Sequence, residues 1–150
     1  MNDIVLYYLP ALALAAAGAL TDIRSRRIPN LLCIALALSG VATLVLSAGI
    51  SALPWSLLFA LAALLIGMGL FAAGMIGGGD AKFYAAAACS LPSQEWCHFL
   101  GWVSLSGLLL LVAMAVGRRI AGKTVFKHGE WSVPYGVAIF AGFVLTVVQL

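Results

Sequence analysis

Gly77-Gly78-Gly79-Asp80-Ala81-Lys82 interrupts a polypeptide that is otherwise almost continuously apolar. Three consecutive glycines oppose continuation of a helix, because glycine loses the most backbone entropy on ordering and readily takes positive φ. The run Leu57 to Ile76 ahead of them is membrane-like in composition, and Asp80 comes directly behind. A carboxylate is costly to desolvate, so an acid within or at the edge of a membrane is a candidate functional residue. One other acid is placed in the same way: Asp22, at the end of the first apolar run.

Composition supports the membrane reading. The 150 residues suit one domain, read as 1–150, and 64% of them are hydrophobic while only 9% are charged. A soluble domain carries about 25% charged residues. Together with a mean hydropathy of +1.13, this predicts an all-α integral membrane protein whose surroundings are the lipid bilayer. The net charge of +3 is not a nucleic-acid signature, since the basic residues sit in two short loops and at Lys82. Met1-Asn2-Asp3-Ile4-Val5 has no basic segment, so the first apolar run reads as a retained span. Cys33, Cys89 and Cys97 form no C-x-x-C pair, and Cys33 and Cys89 fall in apolar runs as small core residues. No zinc or other metal site and no cofactor is expected.

About six transmembrane helices are predicted. Span 1 covers about Ile4 to Thr21, with Ala11, Ala15 and Ala19 spaced for close approach of a neighbour and Pro10 as a possible kink. Asp22 then opens a polar stretch ending Ile28-Pro29-Asn30, which suits entry to span 2, Leu31 to Ala48. Span 3 covers about Pro54 to Ile76. Phe83 to Leu91 is a fourth apolar stretch, but it reaches only about 15 Å, half of a bilayer core. Span 5 covers about His98 to Val116. A polar loop from Arg118 to Trp131 leads to span 6, which opens with Val133-Pro134-Tyr135-Gly136.

Six alternating spans put Arg24, Arg26, Arg27, Lys82, Arg118, Arg119, Lys123 and Lys127 on one side, which accounts for all eight lysines and arginines. That side is the cytoplasm by the positive-inside rule, with both termini outside, on the periplasmic side. Trp55 and Trp96 then fall at the outer boundary and Trp131 at the inner one.

This topology also places Asp22 and Asp80 on the same cytoplasmic edge. Two carboxylates close together in a poorly hydrated site do not both ionise easily, and the pair shares a proton. One acid can then act as base towards water while the other polarises a carbonyl, with no covalent intermediate and no metal. Each acid also has a plainer role open to it: Asp22 as an i,i+4 partner of Arg26, Asp80 as the N-cap of span 4. Lys82 reads as an interface anchor, His98 as a satisfied polar residue, and His128 with Glu130 as a solvated loop pair.

Gly77-Gly78-Gly79-Asp80-Ala81-Lys82 resembles the G-x-G-D-x-K motif of the type IV prepilin peptidases, membrane aspartic peptidases of the G-x-G-D class. The segment from Asp22 to Ile28-Pro29-Asn30 resembles that family's first aspartate segment, and Pro134-Tyr135-Gly136 its Pro-aromatic-Gly opening of the last span. The resemblance implies Asp22 and Asp80 as the catalytic pair. It implies Gly77, Gly79, Lys82, Pro29, Asn30, Pro134 and Tyr135 as substrate-binding or motif-supporting residues. The substrate it implies is a prepilin or pseudopilin leader, cut at the cytoplasmic face of a bacterial inner membrane just before the hydrophobic helix. With no cytoplasmic paired-cysteine region, the chain is similar to the short Flp/Tad-type peptidases that lack methyltransferase activity. Two other readings stay open: a proton-coupled transporter using the acids as a relay, and a non-catalytic subunit of a pilus or secretion machine. A transporter usually shows internal repeats and acids near the membrane midplane, and neither is evident here.

Overall fold

The computed structural model describes residues 3–122 and 133–150. All regular structure among them is helical: α1 (Asp3–Ser25), α2 (Asn30–Ala48), α3 (Leu53–Ala72), α4 (Gly78–Ala88), α5 (Trp96–Ile120) and α6 (Tyr135–Val148). The segments containing α1, α2, α3 and α5 are long and apolar enough to cross a membrane, whereas α6 is a shorter apolar helix. Lys123, Lys127, His128, Glu130 and Trp131, which figure in the predicted inner loop, lie outside the described residues.

The short fourth helix is the hub of the bundle. α4 packs against α2, α3 and α6 and touches α1. Its alanines explain how. Ala81, Ala85, Ala86, Ala87 and Ala88 are all buried, so neighbouring backbones approach from several directions without large side chains intervening. On the α3 side, a Cβ built on Gly67 would lie only 2.8 Å from the Ala81 Cβ. The C-terminal end of α4 leaves carbonyls without helical partners inside an apolar bundle. Ser56 of α3, fully buried, lies against this end: its hydroxyl is 3.4 Å from the Ala88 carbonyl and 2.8 Å from the carbonyl of Leu91, just beyond the helix. Helix length therefore does not measure the importance of α4, which is short yet packed on several sides.

Large side chains fill the space around this small-residue hub. Phe83 of α4, Phe99 of α5, Phe143 of α6, Tyr8 of α1 and Leu36 of α2 are fully buried in one cluster. Phe99 stacks on Tyr84 with centroids 4.5 Å apart and meets Phe143 edge-on at 6.1 Å. The predicted stripe Ala11, Ala15 and Ala19 is buried, on the helix that packs against α2 and α6. Leu31, Leu38, Leu46, Leu65 and Leu109 instead point outward, the surface expected of a membrane protein.

Several predicted boundaries shift. α1 continues to Ser25, so Asp22 sits within a helix, and Arg26, at φ 54°, takes the left-handed conformation just beyond its end. α3 stops at Ala72, four residues before the expected end, and the chain turns at Gly74 with φ 74°. That left-handed glycine breaks the chain. Gly77 is extended at the N-cap of α4, and Gly78 and Gly79 already belong to the helix with no positive φ. α5 starts two residues earlier and ends four later than expected.

Candidate active site

Five helix ends converge on one side of the bundle. The end of α1, the starts of α2, α4 and α6, and the turn after α3 together line a cavity of about 540 Å3. Both acids open onto it. Asp22 arrives on the last turns of α1, Asp80 on the first turn of α4, and each is placed by a helix rather than by a loop.

Asp22 is only 6% exposed. Its Oδ2 accepts a hydrogen bond from the backbone N–H of Gly136 at 2.8 Å. Gly136 lies in the first turn of α6, where backbone N–H groups have no helical carbonyl to pair with. The partial positive charge of a helix N-terminus also favours a carboxylate there. A glycine suits the approach: a Cβ built at 136 would sit 3.0 Å from both the Cβ and Oδ2 of Asp22, closer than nearly all real Cβ contacts.

Asp80 is half-buried, outside the four long spans and ahead of the apolar stretch beginning at Phe83. Burial, and secondarily the charge of Asp22, pushes its carboxyl up to about 6, against a lowering by hydrogen bonding to the Gly77 backbone. Asp80 is not the N-cap of α4, as the sequence had allowed. Gly77 holds that position, and Asp80 lies three residues inside, where an acidic side chain can reach back to the cap. A Cβ at Gly77 would meet Asp80 Oδ2 at 2.6 Å, so a side chain there would displace the Asp80 carboxyl from this position. Gly79 is less constrained: its Cβ would stand 3.7 Å from Ile28, an ordinary contact.

The other expected residues divide into two groups. Gly77, Gly79, Lys82, Asn30 and Tyr135 line the cavity. Lys82 Nζ donates to Asn30 Oδ1 at 3.1 Å, joining the start of α4 to the start of α2. Pro29 and Pro134 are not among the lining residues and instead start helices. Pro29 is the N-cap of α2, and its carbonyl accepts from the N–H groups of Leu32 and Cys33. Pro134 is the N-cap of α6, and its carbonyl accepts from Val137. Gly136 belongs to the Pro134-Tyr135-Gly136 segment, and nothing local in that segment signals its contact with Asp22 across 114 positions. Arg26, Arg27 and Ile28 also line the cavity. His98, in the first turn of α5, pairs with Glu95 at 2.9 Å and does not line this cavity.

Chemically, the cavity holds two carboxyls, backbone N–H donors and cations at its rim. Among the described residues, no three His, Cys, Asp or Glu side chains converge as a metal-binding group. A family model described as the type IV leader peptidase family matches residues 8–117. That span contains both acids and all of α2, α3 and α4. No curated protein and no solved structure matches the chain.

Proposed function

The chain belongs to the type IV leader peptidase family, and from that premise we propose that it is a membrane aspartic endopeptidase acting through Asp22 and Asp80. The observation that carries the proposal is the opening of both acids onto one cavity at a single end of the bundle. A proton shared between them leaves one carboxylate to take a proton from water and one carboxylic acid to polarise the scissile carbonyl. The attacking oxygen joins the carbonyl carbon. The collapsing intermediate breaks the C–N bond, and the pair returns a proton to the leaving amine. No covalent enzyme intermediate and no cofactor is needed for these steps.

The substrate proposed is a prepilin or pseudopilin of the Flp type, cut in its leader at the cytoplasmic edge of a bacterial inner membrane. Arg26, Arg27 and Lys82 line the acidic cavity, and cations concentrate on the cytoplasmic side of membrane proteins. That supports placing this end inside and the termini outside. Co-expression with a Flp-type prepilin tests the reading through the mobility shift of the processed product. Cleavage by the native chain but by neither Asp22→Asn nor Asp80→Asn is the expected result. An unprocessed prepilin in the presence of well-inserted native protein would rule the substrate out.

A further inference from the structure

A second cavity, of about 520 Å3, opens between α2 and α3 with α4 as its floor. Ile34 and Ala37 stand on the α2 side, Leu57 and Leu61 on the α3 side, and Ala85 and Ala86 form the base. Ile34 and Leu61 are each more than half exposed. The cleft extends from Lys82 of α4 to Cys89, the residue that follows the helix, roughly 10 Å or two helical turns. Apart from Asn30 and Lys82 its lining is apolar. These two residues also line the two-acid cavity, and the hydrogen bond between them, at 3.1 Å, marks where the two spaces meet.

We propose that this cleft docks the apolar helix of the protein substrate, and that the Lys82–Asn30 pair marks where the substrate leaves the helix and enters the acidic cavity as extended chain. The proposal rests on the leader-peptidase reading above. Its physical basis is the order of chemistry along one continuous path: two acids, a polar junction, then an apolar cleft floored by alanine. A chain cut in the first space and continuing through the second must change from polar to apolar at that junction. Within lipid, helices gain little from hydrophobicity when they associate, so affinity comes from close backbone packing on small residues. Ala85 and Ala86 provide such a floor. The first turn of a docked helix also brings N–H groups without intrahelical partners. At the polar junction the Asn30 Oδ1, which accepts one bond from Lys82 Nζ, has a second lone pair that can accept from them. A lipid acyl chain needs no such junction.

The test uses the full chain in phosphatidylglycerol–phosphatidylcholine vesicles, with Asp80→Asn to hold substrate uncut and a photo-cross-linking residue at Ile34. The probe is a prepilin retaining its apolar helix. The expected result is a cross-link to that helix, with none from the same group at Leu109, an outward-facing position on α5. Cross-links to lipid alone, or equally from Leu109, overturn the proposal. Because this arm needs no cleavage, a positive cross-link without processing by the native enzyme separates failure of the peptidase reading from failure of the docking reading. A kinetic arm compares the same prepilin with one truncated a few residues beyond the scissile bond, so that the bond is kept and most of the apolar helix is removed. Filling the cleft by Leu61→Trp should lower the preference for the helix-bearing substrate about tenfold, mainly through KM. Leu109→Trp should leave that preference unchanged. An unchanged preference in Leu61→Trp counts against the cleft.

Discussion

The Gly136 N–H, at the start of α6, donates to Oδ2 of Asp22 on α1 at 2.8 Å. This bond ties one acid of the proposed pair to a helix that enters the bundle after all the others. The missing Cβ at 136 is what permits it. Gly136→Ala places a methyl group 3.0 Å from Asp22 Oδ2 and 3.2 Å from its Cγ. The carboxyl must give by a few tenths of an ångström, and the expected loss of rate is smaller than the roughly hundredfold that a displacement of about 1 Å at a reacting group costs. Loss in kcat with little change in KM, in protein that still inserts, is the expected outcome of prepilin cleavage assays. Native turnover in Gly136→Ala would show that the contact is incidental.

The glycines before Asp80 are not equivalent. A side chain at Gly77 would collide with Asp80 Oδ2 at 2.6 Å, while one at Gly79 would rest 3.7 Å from Ile28. Gly77→Ala should therefore damage cleavage, and Gly79→Ala should be nearly silent. The bulkier Gly79→Val should fall between them, as its branches press on Ile28. The ranking of the three variants in one processing assay is the measurement, and a reversed order would contradict the geometry.

Near-isosteric removal of either charge should abolish turnover without unfolding the protein. For Asp22→Asn and Asp80→Asn a loss on the order of a thousandfold is expected if each acid moves a proton. Asp80 adds a stability signature. Its folded value of about 6 exceeds the ordinary 3.8, so the folded state holds the proton more tightly than the unfolded chain. That contribution is complete below the unfolded value and is lost as pH rises through about 6. Since Asp80 is partly exposed, the effect is screened. The Tm of Asp80→Asn relative to the native protein should rise between pH 4 and 7 by about 2–4 °C. Parallel melting curves across that range would refute the assignment.

A pair sharing one proton should give a bell-shaped rate profile whose limbs belong to the pair. With burial and the neighbouring charge raising Asp80 to about 6, the alkaline limb should lie well above the ordinary aspartate range of ~3.9. Cleavage should survive EDTA and thiol or serine reagents. Loss on chelation that is restored by metal would point to the acids as ligands instead.

Reporter fusions test orientation. A reporter at Gly122, after α5, should give a cytoplasmic signal, and one at Gln94, between α4 and α5, an external one. A cytoplasmic signal at Gln94 would mean that α4 does not carry the chain across.

Hydropathy alone determined that the chain is a helical membrane protein, because a lipid solvent demands long apolar segments and internally satisfied backbone. The positions of Asp22 and Asp80 at segment ends were equally legible, since a lone acid stands out in an apolar run. Three features were not. The sequence pointed to Gly77, Gly78 and Gly79 as the break, yet the left-handed turn is at Gly74 and two of the three begin α4. Composition shows that a glycine run can break a helix but not where packing uses that freedom. Nor did the sequence single out Gly136 or make a hub of α4. A close backbone approach between residues 114 positions apart leaves no local pattern. The burial of a short alanine-rich helix on several faces depends on its neighbours. These features are relations between helices, and only the tertiary structure decided them.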